Sequence, residues 1–126
     1  MKKSVIAVIL SLLIIPASQA HHSFAVHFES DDLVEVKGVV KEFRFTNPHG
    51  ILLFTAKDEN GNEVEWRAET NSPNMLRRRG WKADSMEPGD KITVTGFPGR
   101  DKPHYMRISF VEIEGKGKLQ AQAKAD

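Results

Sequence analysis

The run from Val34 to Thr46, "VEVKGVVKEFRFT", constrains the fold most. Apolar and polar residues alternate along it, as on a strand with one buried face. The alternation changes phase near Gly38, which marks a bulge or a strong bend. A long, bent first strand with a glycine at its middle fits the closure of a barrel. The chain has no cysteine, so no disulfide can brace such a bend. The core alone must hold the fold.

Four further strand-like runs follow. Ile51 to Lys57, "ILLFTAK", leads into "DENGN", where Asn60-Gly61 suits the positive φ of a hairpin turn. From Glu63 to Thr70 the pattern is clean. Val64, Trp66 and Ala68 point one way, and Glu63, Glu65, Arg67 and Glu69 the other. "NSPNMLRRRGW" then reads as a short helix. Ser72 can cap it, Pro73 suits its first position and Gly80 suits the position just past its end. Met75 and Leu76 are its expected buried contacts. Such a helix holds about two turns, too few to stand alone, so it must pack on the sheet. "KITVTGF", with Ile92 and Val94 inward, and "YMRISFVEI" complete the set. This order predicts a mainly β chain: an OB-fold-like five-stranded antiparallel barrel with one short helix between strands 3 and 4. An open antiparallel sheet with one helix is the competing architecture.

The boundaries come from composition. Lys2 and Lys3, the apolar run Val5 to Ile15, Pro16 and the small residues Ser18 and Ala20 read as a secretory signal. The apolar run is about half the roughly 20 residues a membrane span needs, so no stable membrane anchor is expected after processing. Residues 1–20 are thus a cleaved signal, 21–33 an amino-terminal arm, 34–114 the barrel and 115–126 a flexible tail. The expected location is periplasmic or secreted. Without Lys2 and Lys3 the formal charge turns from +1 to −1, so net charge gives no pull toward nucleic acid or an anionic membrane.

Four motifs stand in order: "HHSF", "TNPHG", "VEWRAETNSPNMLRRRGW" and "MEPGDKITVTGFP". Together they resemble a family of small secreted bacterial proteins defined as a domain of unknown function. The resemblance covers nearly all of the mature chain. It implies an exported single domain of mostly β character and supplies no mechanism.

Cleavage after Ala20 makes His21 the first residue. Its amine and ring can then chelate one metal, and a second histidine completes a histidine brace. Lytic polysaccharide monooxygenases and some periplasmic copper carriers resemble this at their processed starts. Imidazole ligands suit Cu(II). The candidate metal ligands are His21, His22, His49 and His104. His49, in the loop joining strands 1 and 2, and His104, in the loop joining strands 4 and 5, flank the usual OB binding face. His27 has no clear place in this set. The competing reading makes each loop histidine ordinary polar surface.

Asn71, Asn74, Arg78, Arg79 and Trp81 form a second candidate site, able to bind a carboxylate or a sugar. Capping and packing explain much of the same motif without a ligand. A nucleic-acid surface is not expected. The outward face of strand 3 carries Glu63, Glu65 and Glu69 against Arg67, the wrong sign for a phosphate track. Arg77, Arg78 and Arg79 are consecutive on a helix and point apart. No catalytic constellation, phosphate loop or dinucleotide fingerprint appears, so the chain is read as no enzyme. The sequence thus points to an exported small binding domain, with Cu(II) held by an amino-terminal histidine. The alternative is a periplasmic module that binds a protein or an anionic small ligand and takes no metal.

Overall fold

The computed structural model describes Phe28 and residues 32–122. The signal, His21, His22, His27 and the end of the tail lie outside the described residues. Strands β1 (Val34–Arg44), β2 (Ile51–Lys57) and β3 (Glu63–Glu69) lead to helix α1 (Pro73–Arg77). Strands β4 (Lys91–Pro98), β5 (Tyr105–Ile113) and β6 (Gly117–Gln120) follow. The sheet runs β3-β2-β1-β4-β5-β6, and β3 also pairs with β5. That last pairing closes β1 to β5 into a barrel in the expected OB-like order. One correction is needed. The closing pair is parallel, Arg67 with Tyr105 and Glu69 with Arg107, so the barrel is mixed rather than wholly antiparallel.

The bend expected at Gly38 is built from two devices. Through Val39, β1 pairs with β4. From Gly38 onward it pairs with β2. Gly38 therefore sits where one strand serves two neighbours, and a Cβ there would lie 2.2 Å from the Thr55 carbonyl oxygen. The bulge itself lies further on, between Val40 and Glu42. Gly96 repeats the device on β4. It lies at a register shift after Thr95, and a Cβ there would lie 2.3 Å from the Arg107 carbonyl oxygen.

Inward residues fill the barrel. Leu52, Phe54, Ala68, Val94, Met106, Ile108 and Val111 have no exposed surface. The helix plugs one end. Leu76, Trp81 and Met86 are buried there, and the Phe43 ring lies 5.8 Å from that of Trp81. Met75, expected to be buried beside Leu76, is 45% exposed. The helix is a single short turn segment, and only one side of it can face the core. Ser72 takes the N-cap position, but its side chain makes no capping bond. Its carbonyl accepts the Leu76 N–H at 3.1 Å instead.

The segment expected to be a mobile tail instead supplies β6. This strand pairs with β5 from Phe110 to Ile113, and Ala121 just beyond it is fully buried. Its own composition carries little apolar signal. Side chains elsewhere hold it, as the site geometry makes plain.

The glycines give a direct test. Gly38→Ala drives a Cβ into backbone that cannot move freely, and should cost about 2–4 kcal/mol. Gly61, at φ +79 with nothing near its Cβ position, meets only the left-handed penalty. Gly61→Ala should cost about 1 kcal/mol. Urea denaturation of the two variants should rank them in that order.

Candidate functional site

The parallel seam sets the site. Ala68 and Met106 point inward, so their neighbours Arg67, Glu69, Tyr105 and Arg107 stand side by side outside. The loop between β1 and β2 places His49 above them. Gly50, next to it, is pressed against the Thr70 hydroxyl, which a Cβ would approach to 2.5 Å. That closeness brings His49 onto the end of β3. Its Nδ1 lies 3.0 Å from the Thr70 carbonyl oxygen. A carbonyl can only accept, so this nitrogen carries a proton.

Arg107 lies in the middle of this group. One terminal nitrogen, Nη2, donates to Asn71 Oδ1. The other, Nη1, lies 3.3 Å from His49 Nδ1. With that nitrogen protonated, the contact is between two donors and is no hydrogen bond. Arg107 Nε is buried and has no partner. Burial pushes the guanidinium pKa below its usual value, and the Glu69 and Tyr105 charges oppose that only through space. Glu69 is already engaged. Its carboxylate lies 3.6 Å from Arg67 and accepts the Tyr105 hydroxyl. Desolvation first, then that bond, pushes the Tyr105 pKa up to about 12.

Asn71 links this cluster to β6. Its Nδ2 donates to the Ala121 carbonyl at 2.9 Å, and Arg79 Nη1 donates to the same oxygen. Trp81 Nε1 donates to the Gln120 carbonyl at 2.9 Å. Three residues of the expected polar cluster, Asn71, Arg79 and Trp81, therefore converge on one backbone segment. The other two do not. Asn74 is exposed and accepts a bond from Arg77, and Arg78 is exposed at the helix C-cap.

The expected pair of loop histidines is split. His104 lies further back along β3 from Thr70, at the level of Trp66. Its ring meets Trp66 edge-on at 5.3 Å, and its backbone has φ 52. His49 and His104 share no contact. Among the described residues no group of three or more histidine, aspartate and glutamate side chains is placed to hold a metal ion. The arm, however, is tied near His104. Phe28 bridges to Gly99 and stacks on Tyr105 at 5.4 Å.

Sequence reading missed Arg107, Glu69 and Tyr105. Only the parallel pairing brings them together, and no local pattern announces it. An arginine between Met106 and Ile108 on a strand was the one available signal.

A closed barrel with one helical plug and a polar cluster on its closing seam defines a small β-barrel domain. Residues 9–106 match a family of unknown function, DUF6152, and the chain belongs to it. No curated protein matches it.

Two measurements check this geometry. Asn71→Ala should cost about 2 kcal/mol, since it leaves the Ala121 carbonyl and Arg107 short of partners. Amide exchange at Ala121 and Gln122, whose N–H groups bond to Ser109, should quicken with it. Tyr105 is the only tyrosine, so phenolate absorbance reads it alone. The midpoint should fall near 12 when folded and near 10 when unfolded. The folded state then holds the proton more tightly. Stability from this group is complete below pH 10 and is lost as pH rises toward 12. Tyr105→Phe should remove that alkaline loss.

Proposed function

We propose that the chain is an exported binding domain that holds an anionic group, a carboxylate of a protein or small ligand, against Arg107. It does this without catalysis. The carrying observation is a half-buried guanidinium whose bonded partner is a neutral amide, with an unpartnered Nε. Buried charges are normally paired, because desolvation costs several kcal/mol per ion. An incoming carboxylate meets that cost and finds Arg67 and Arg79 nearby. The signal-like segment at residues 1–20 supports export.

The same charge bears on copper. A dication within about 6 Å of Arg107 is opposed by about 5 kcal/mol at an effective dielectric of 20. His49, whose ring touches Arg107, is thus a poor copper ligand on electrostatic grounds. A copper reading that keeps His21 and His22 stands on other support. Phe28 anchors the arm beside the loop that carries His104. His21 is seven positions from Phe28, a reach of at most about 25 Å. In this second reading His104, not His49, is the partner within the barrel.

Titration with acetate and with inorganic phosphate, followed by amide chemical shifts, tests the anion site. Saturable shifts should centre on Asn71 and Arg107. Arg107→Met should abolish them. Asn71→Asp, which supplies the site with its own carboxylate, should abolish them too. Shifts that are linear, scattered or equal in all three proteins refute the proposal. For copper, the processed chain is compared with one carrying an extra residue before His21. The extension should weaken Cu(II) binding by orders of magnitude. Equal, weak binding by both proteins removes the copper reading.

A further inference from the structure

The barrel has a second end. Away from the helix, β1 begins, β2 turns into β3, and β4 passes to β5. A cleft of about 870 Å³ lies between these segments. Small-molecule sites commonly occupy about 300–1,000 Å³ and favour barrel mouths.

Its wall is apolar. Val34, Val36, Val64, Trp66 and Pro98 line it. Val34, Val36 and Trp66 pack against the core from inside, so the wall is anchored. Trp66 is the platform. Phe54, fully buried, backs it at 6.1 Å with the rings 19° from parallel. His104 stands edge-on to it at 5.3 Å. The His104 carbonyl accepts the Arg67 N–H at 2.9 Å, which ties the loop to β3 in its left-handed conformation. Non-glycine residues seldom adopt that conformation.

The rim is polar and nearly balanced. Glu35, Asp58 and Glu59 line the opening together with Lys37 and Lys57. Neither an anion nor a cation gains a clear field there. A bare aromatic ligand would strip water from these groups and give nothing back. A ring with an apolar face and hydroxyls around its edge satisfies both parts. Its C–H face lies on Trp66, its hydroxyls donate to the carboxylates, and its oxygens accept from the lysines. We propose that this cleft binds a neutral sugar ring stacked on Trp66. The site is separate from Arg107 and does not depend on the anion proposal.

The two tryptophans make the test direct. Trp81 is 1% exposed, so acrylamide quenching of the full chain reads Trp66. The probes are maltose, cellobiose and chitobiose, with toluene, which is transparent where tryptophan is excited, as an aromatic control. At least one disaccharide should protect Trp66 saturably, and toluene should not. His104→Gly keeps the backbone conformation and removes one wall, and should weaken that protection about tenfold or more. Arg107→Met should leave it unchanged. No protection by any of the three sugars, equal protection by toluene, or protection unaltered in His104→Gly overturns the proposal.

Discussion

Closure of this barrel depends on a very short parallel contact, Arg67 to Glu69 against Tyr105 to Arg107. Everything else in the sheet is antiparallel and local in the chain, or follows from β1 bending between two partners. The seam pairs strands far apart in sequence with few ladder bonds. Its stability must come from what it buries. Ala68 and Met106 fill the inside with no exposed surface. Ala68 is small and Met106 long, and together they let the strands approach without a void. The outside of the seam is then obliged to carry the alternate residues, three of them charged and one a tyrosine.

The two ends of the barrel are treated differently. At the end of β3 the chain turns straight into α1. Leu76, Trp81 and Met86 are driven into the opening, and the polar groups that remain are spent on β6. At the start of β3 no such plug follows, because the connection there is a tight hairpin. Asp58 accepts the N–H groups of Asn60 and Asn62 at 2.9 and 2.8 Å. Those bonds, that to Asn62 foremost, hold its carboxyl below the usual carboxylate range, so it stays charged at the rim. A compact turn leaves the aromatic lining of the mouth accessible. The asymmetry between a plugged and an open end is thus written in the lengths of two connections.

Much of this architecture was legible in the sequence. Periodicity gave β1 to β5, and Ser72, Pro73 and Gly80 bracketed the helix. These signals are local, set by neighbours one to four residues apart. What escaped was non-local. β6 carries Leu119 as its one large apolar residue, with Ala121 just beyond it. It is ordered because Asn71, Arg79 and Trp81 bond to its carbonyls across 39 to 50 positions of chain. In the sequence the same residues suit either a ligand-binding cluster or capping and packing. In the structure the Asn71 amide, the Arg79 guanidinium and the Trp81 indole all donate to the protein's own backbone. Arg107 escaped for the converse reason. On a strand of mixed pattern it looked like ordinary outward charge, and only the seam buries it.

Whether Arg107 is merely structural turns on its neighbour. A cation kept for stability alone would be expected to bond the nearest carboxylate, because an unpaired buried charge is costly. Glu69 stands directly across the seam from it. Yet Glu69 accepts the Tyr105 hydroxyl and faces Arg67, and it acts on Arg107 only at a distance. Asn71 could have been an aspartate at the same place. An amide there satisfies Ala121 as well as Arg107, but it brings no negative charge of its own. On the anion-binding proposal, this half-buried guanidinium, with neutral or diverted partners around it, is the group that an external carboxylate would pair with.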